Sequence, residues 1–180
     1  IFPLFEFEMH GGMEDLVKME KELLTHLGYD TSKFIRGKYL DVAKHYDTKE
    51  LEHVHEQALA DQFSKTYFLT DFPEYTSPFW NMRRDPDTKI AKKVDVIMSG
   101  QETIGSAERE VDRDVMRKRF DTISDGGYKA KLYDLFGASR TEQELDEYFM
   151  FDFFKRSGGG IGVTRLIRSM KMEGLIPEKH

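Results

Sequence analysis

The sequence predicts an α+β fold, a mainly antiparallel sheet flanked by helices, on three observations. Strand-like stretches come first and recur in the middle, helical stretches are inserted between them, and a strand–helix unit closes the chain. Its 180 residues, 39% hydrophobic and 33% charged, suit one domain (1–180) with a sizeable core. No apolar run approaches a membrane span, and no secretory signal pattern opens the sequence. The lack of cysteine excludes a disulfide framework and thiolate metal sites and fits a reducing, cytoplasmic setting. A net charge of −6 argues against sequence-independent nucleic-acid binding, while leaving a local patch free to dock one. Ile1 leads straight into an apolar stretch, so the sequence is expected to be a fragment lacking an N-terminal part.

Taken in order, residues 1–9 alternate Phe5, Phe7 and Met9 against Glu6 and Glu8, the period of a strand. Gly11 and Gly12 turn the chain into a helix from Met13 to Leu27, where Leu16, Val17, Leu23, Leu24 and Leu27 recur at helical spacing before Gly28. Asp47 with Glu50 signals a capping box ahead of a helix over 48–63. His53 and His55 within it point in different directions and cannot share a metal. Lys65–Phe72 and Lys92–Ser99 read as strands, joined by a loop with Phe79 and Trp80 as satellite core or pocket lining and with Arg83–Asp87 as a solvated turn. Gln101–Arg109 leads into a charged helix from Glu110 to Ile123, broken by Asp125-Gly126-Gly127, then a shorter helix from Tyr128 to Phe136. Thr141 and Glu144 suggest a second capping box, before a helix to Phe154 whose Leu145, Tyr148, Phe149, Phe151, Phe153 and Phe154 read as core.

The closing unit carries the chemistry. Glycines at 158, 160 and 162 read as a turn that lets backbone approach another group closely. A helix over Val163–Lys171 follows, with Leu166, Ile167 and Met170 on one stripe and Gly174 and Pro177 as stops. Its N-terminus favours an anion, and Arg165 adds a charge and a planar stacking surface. A glycine cluster alone is better explained by a hairpin packed under a helix. Elsewhere, Asp95 and Glu102 are hard-oxygen donors suited to Mg²⁺, and Arg109 suits a two-pronged pair with a carboxylate. Each also has a plain explanation as surface carboxylate or helix-end ion pair; jointly they point to an ATP–Mg²⁺ site.

These residues resemble a family. Gly158–Leu166 (GGGIGVTRL) is similar to motif 3 of the class II aminoacyl-tRNA synthetases, and Asp95–Arg109 (DVIMSGQETIGSAER) resembles a segment of the aspartyl and asparaginyl members. Phe2–Met9 resembles the second strand of motif 2, and Phe72-Pro73 with Pro78-Phe79 a further segment of that subgroup. The resemblance implies a class II synthetase-type fold and a ligase that forms an acyl-adenylate by in-line attack of a carboxylate on the α-phosphorus of ATP, releasing pyrophosphate. It implies that Arg165 stacks on the adenine, that Gly160 and Gly162 make room for the nucleotide, and that Asp95 and Glu102 hold Mg²⁺ against the phosphates. Arg165 and Glu102 are the implied catalytic residues, and Arg109 binds the side-chain carboxylate of aspartate.

The sequence also departs from that pattern. Phe154-Lys155-Arg156-Ser157 stands where the aminoacylating members carry Pro-Pro-His-Gly, and the sequence stops at His180 without a Phe-Pro-Arg segment. Gly105, Ser106 and Glu108 replace residues usual in aspartyl enzymes. Motif 1, which forms the family's homodimer, and the motif 2 arginine are absent from the sequence, so the fragment alone is expected to be inactive. Its ending is similar to the asparagine synthetases related to asparaginyl-tRNA synthetase. That similarity implies activation of aspartate with ammonia as acceptor, independent of tRNA. Transfer to tRNA, as an aspartyl- or asparaginyl-tRNA ligase, is the second reading, and a non-catalytic nucleotide-binding paralogue the third.

Overall fold

The computed structural model describes residues 2–177; Ile1 and His180, on which two of the sequence expectations rest, lie outside them. Alternation makes the first strand, β1 (Leu4–His10), and Gly11 turns the chain at φ +117°. Helix α1 (Met13–His26) begins where Asp15 accepts the Gly12 N–H at 2.9 Å. It ends in a Schellman closure, with Gly28 at φ +97° and the Tyr29 N–H donating to the Leu24 carbonyl at 3.0 Å. A short strand β2 (Ile35–Lys38) and helix α2 (Tyr39–His45) follow, then α3 (His53–Gln62) and β3 (Thr66–Phe72). Beyond a long loop come β4 (Ala91–Met98) and β5 (Gln101–Glu108), α4 (Arg113–Thr122), α5 (Gly127–Phe136), α6 (Ala138–Phe149), β6 (Arg156–Gly162) and α7 (Val163–Met172). The six strands form one sheet in the order β1-β6-β5-β4-β3-β2, antiparallel throughout except for the parallel β2–β3 pair.

Several sequence expectations need correction. Asp47 does not start a helix: it sits at φ +49°, and the helix begins later, with Glu52 and His55 forming the capping box. The α2 helix adds to the sequence expectations: at seven residues it spans too few turns to set up a helical period, and no side chain caps it. Gln101–Glu108 is a strand, joined to β4 by Ser99 and Gly100, both at positive φ as a type I′ hairpin requires. The charged helix starts only at Arg113, capped by Asp112. Thr141 is no cap; it lies inside α6, its hydroxyl donating to the Gly137 carbonyl at 2.9 Å. That helix ends at Phe149, leaving Phe151 and Phe154 exposed rather than in the core. Nor is Arg83–Asp87 simply a solvated turn, since Arg84 is buried, donates to the Pro78 carbonyl at 2.6 Å and pairs with Glu74 at 2.7 Å. The glycine stretch is no turn but β6, a central strand.

The layers place the site. On one face of the sheet α1 packs Leu16, Val17 and Leu24 against Phe68, Val94, Val96, Ile104 and Ile161, and α7 adds Leu166 and Met170 while Ile167 stays exposed. On the other face α2 and α3 cover only the β3–β4 half, packing Tyr39, Val42 and Leu59 on Leu69, Phe72 and Ile97. A third cluster gathers α4 and α6 around Trp80, Met116, Phe120 and Leu145. The half of the second face formed by β1, β6 and β5 borders a cavity.

Candidate functional site

Strand pairing lays a row of residues across this open half-face: Glu6 opposite Gly160, Gly160 opposite Gly105, and Gly105 opposite Asp95. Side chains in one row share a face, so the two glycines form a flat floor between acidic ends. Glycine is also needed for close packing. A Cβ at Gly158 would stand 2.4 Å from the Glu8 carboxylate, and one at Gly159, on the opposite face, 2.4 Å from the Ser106 side chain. The floor opens into a cavity of about 570 Å³ lined by Glu102, Arg109, Gly160, Gly162 and Arg165 among others. The structure thus gathers these predicted residues from three elements; Asp95 lies buried at the edge of the floor, outside the lining.

Arg165 stands in the first turn of α7. It donates to the Glu102 carbonyl at 2.7 Å, and its guanidinium carbon lies 5.4 Å from the centroid of the Phe2 ring. The planar cation and the aromatic ring together form a stacking pair at the cavity wall. At the other end, Arg109 points its Nε and Nη2 at Glu8 Oε1, both at 2.9 Å, while Arg156 approaches the second oxygen of Glu8 at 3.6 Å. One arginine face is therefore ordered by β1 before any ligand arrives.

Asp95 and Glu102 meet over Gly105. A Cβ there would lie 2.9 Å from Glu102 Oε1 and 3.7 Å from Asp95 Oδ1. That Oδ1 is buried without a hydrogen-bond partner, whereas Oδ2 accepts from Lys93 at 2.5 Å. Burial pushes the Asp95 carboxyl up, to about 7, against the pull of the Lys93 ammonium and with a further push from Glu102. Glu56 stands nearby but is committed to the Glu102 N–H at 3.0 Å. Among the described residues no group of three or more His, Cys, Asp or Glu is placed to hold a metal. Two converging hard oxygens, one of them unpartnered, nevertheless fit Mg²⁺, which takes its remaining ligands from water and phosphates.

Phe2, Glu8, Lys93 and Glu56 belong to this site but were not picked out in the sequence as site residues. For Glu8 the signal was present: the Glu6/Glu8 alternation marks the polar face of a strand that also carries Phe5, Phe7 and Met9 on its other side. His53 and His55 take no part in it; His55 accepts the Glu52 N–H in the α3 cap.

Residues 3–178 match the family model described as tRNA synthetases class II (D, K and N). An aspartate–tRNA(Asp/Asn) ligase of Methanococcus maripaludis is 24% identical over 130 residues, 72% of this chain and 27% of that protein. An asparagine–tRNA ligase of Clostridium botulinum is 31% identical over 120 residues, 66% of this chain and 23% of that protein. The asparaginyl-tRNA synthetase of Pyrococcus horikoshii superposes with a TM-score of 0.71 at 22% identity, over 97% of this chain and 47% of that one. The same enzyme complexed with asparaginyl-adenylate gives 0.69 at 23% identity, over 93% and 44%. The chain spans about a quarter of the length of these curated relatives, and its fold is that of the synthetase domains. No helix among the described residues is long and apolar enough to cross a membrane.

Proposed function

Because the chain belongs to the class II tRNA synthetases (D, K and N), we propose that its cavity activates aspartate with ATP, forming aspartyl-adenylate and pyrophosphate. The observation that carries this reading is one arrangement: a stacking arginine, a glycine floor, Glu102 and a second arginine around a single cavity, with Asp95 buried at the edge of that floor. Arg165, with Phe2, takes the adenine, and the bare backbone at Gly160 and Gly162 leaves room for the ribose and phosphates. Arg109, held by Glu8, presents a cationic end that selects the side-chain carboxylate of aspartate. Asp95 and Glu102 would hold Mg²⁺, which supplies charge neutralisation at the phosphates when bound. No residue acts as a nucleophile; positioning and electrostatic complementarity carry the catalysis.

The acceptor of the activated aspartate is ammonia or tRNA. Phe154-Lys155-Arg156-Ser157 fits an ammonia-using paralogue at least as well as a tRNA ligase, while the relatives named above are tRNA ligases. The test uses the native protein that carries this chain, incubated with labelled aspartate, ATP, Mg²⁺ and ammonia, without tRNA. Free asparagine with AMP supports amide formation. AMP that appears only with tRNA assigns the domain to a tRNA ligase, working as a dimer in the family's manner. No aspartate-dependent AMP in either case overturns activation and leaves a nucleotide-binding paralogue.

A further inference from the structure

The two oxygens of Asp95 have been given different surroundings. Oδ2 lies 2.5 Å from Lys93 Nζ, while Oδ1 is buried, unpartnered and on the Glu102 side. Lys93 stands next but one before Asp95 on β4, so both side chains share the sheet face that carries Gly105. Its ammonium is fixed from behind, 4.0 Å from the centroid of the Phe72 ring, and its side chain is only 23% exposed. Lys92 leaves the strand on the other face and approaches Glu108 at 3.9 Å, so the tandem lysines are not interchangeable.

We propose that Lys93 is a specificity-determining residue for the divalent cation. It occupies one oxygen of Asp95, leaving a single oxygen for an incoming ion, and cancels one of the two carboxylate charges. Ca²⁺ fills its large shell with many oxygens and commonly takes both oxygens of a carboxylate, which Lys93 prevents here. Mg²⁺ and Mn²⁺ need only one oxygen from each carboxylate and keep most of their water, which the site allows. This inference rests on Asp95 and Glu102 being the cation ligands.

The test measures Mn²⁺ bound to the purified native protein without nucleotide, by electron paramagnetic resonance, with Mg²⁺ and Ca²⁺ as competitors. Wild type, Lys93→Met, Lys93→Arg, Lys92→Met and Glu102→Gln are compared. The expected result is that Lys93→Met lowers the preference for Mg²⁺ over Ca²⁺ at least fivefold, while Lys93→Arg and Lys92→Met keep the wild-type ratio. An unchanged ratio in Lys93→Met, with Mn²⁺ still displaced from a Glu102-dependent site, overturns the role of Lys93 alone. If wild type binds no Mn²⁺, or Glu102→Gln binds it equally well, the ligand assignment itself falls and this inference with it. Should Lys93→Met fail to fold, Lys93→Ala, which leaves room for water at this partly buried position, is read in the same way.

Discussion

Glu20 has no exposed surface; Ser106 Oγ donates to its Oε1 at 2.6 Å, and Oε2 has no partner. Burial raises its carboxyl from 4.5 to about 8, so over that window the folded protein holds a proton that the unfolded chain releases. A raised carboxyl therefore favours folding at low pH and opposes it as pH rises, by up to about 1.4 kcal/mol per pH unit. Glu20→Gln, which keeps the acceptor for Ser106 and supplies a neutral donor, should flatten the fall in urea midpoint between pH 5 and 8. Parallel profiles for the two proteins would contradict a neutral Glu20. In the cavity, Arg109→Ala should lower kcat/KM for aspartate by about 10²-fold, the value of a charged hydrogen-bonded pair, with ATP affinity unchanged. Arg165→Ala should instead weaken ATP binding about tenfold in equilibrium titration. An equal loss of ATP binding in both variants would undo the division of labour between the two arginines.

At the scale of elements, β6 depends on which face each glycine presents. Gly159 meets the Ser106 side chain and the Gly105 carbonyl, which is 2.6 Å from its Cβ position, whereas a Cβ at Gly160 would meet only the tip of Leu4 at 3.2 Å. Gly159→Ala is expected to destabilise the fold by about 1–3 kcal/mol through overpacking, measured by denaturant unfolding. Gly160→Ala should leave stability near wild type and still weaken ATP binding, since its methyl intrudes on the floor. The reverse order of the two effects would mean that the faces are misassigned. This strand shows why legibility varied. Phe5, Phe7 and Met9 announce β1 by alternation, but a run of glycines has no side chains to alternate, so Gly158–Gly162 read as a turn. Asp47 looked like a cap because its side chain type suits one, yet the backbone there turns left-handed and the true cap is Glu52.

At the scale of the molecule, helices cover one face of the sheet and half of the other, and the uncovered half carries the cavity. The predicted α+β class and the antiparallel sheet correspond to this arrangement, because strand and helix periods are local properties of the sequence. That Glu102, Arg109, Gly160, Gly162 and Arg165 converge on one cavity was also legible, through motifs that set these residue types at fixed spacing. Phe2, Glu8 and Glu56 were not, since each acts through a partner that only tertiary pairing brings near: Arg165, Arg109 and the Glu102 N–H. Lys93 is a local neighbour of Asp95 on β4, but strand spacing alone does not tell an ion pair from two solvated charges. The whole arrangement is tested most directly by aspartate-dependent exchange of labelled pyrophosphate into ATP, measured on the native protein and its Arg109→Ala variant. Exchange that requires aspartate and falls by about 10²-fold at low aspartate in the variant is the predicted result. Native protein that binds ATP but shows no exchange with aspartate would contradict the account.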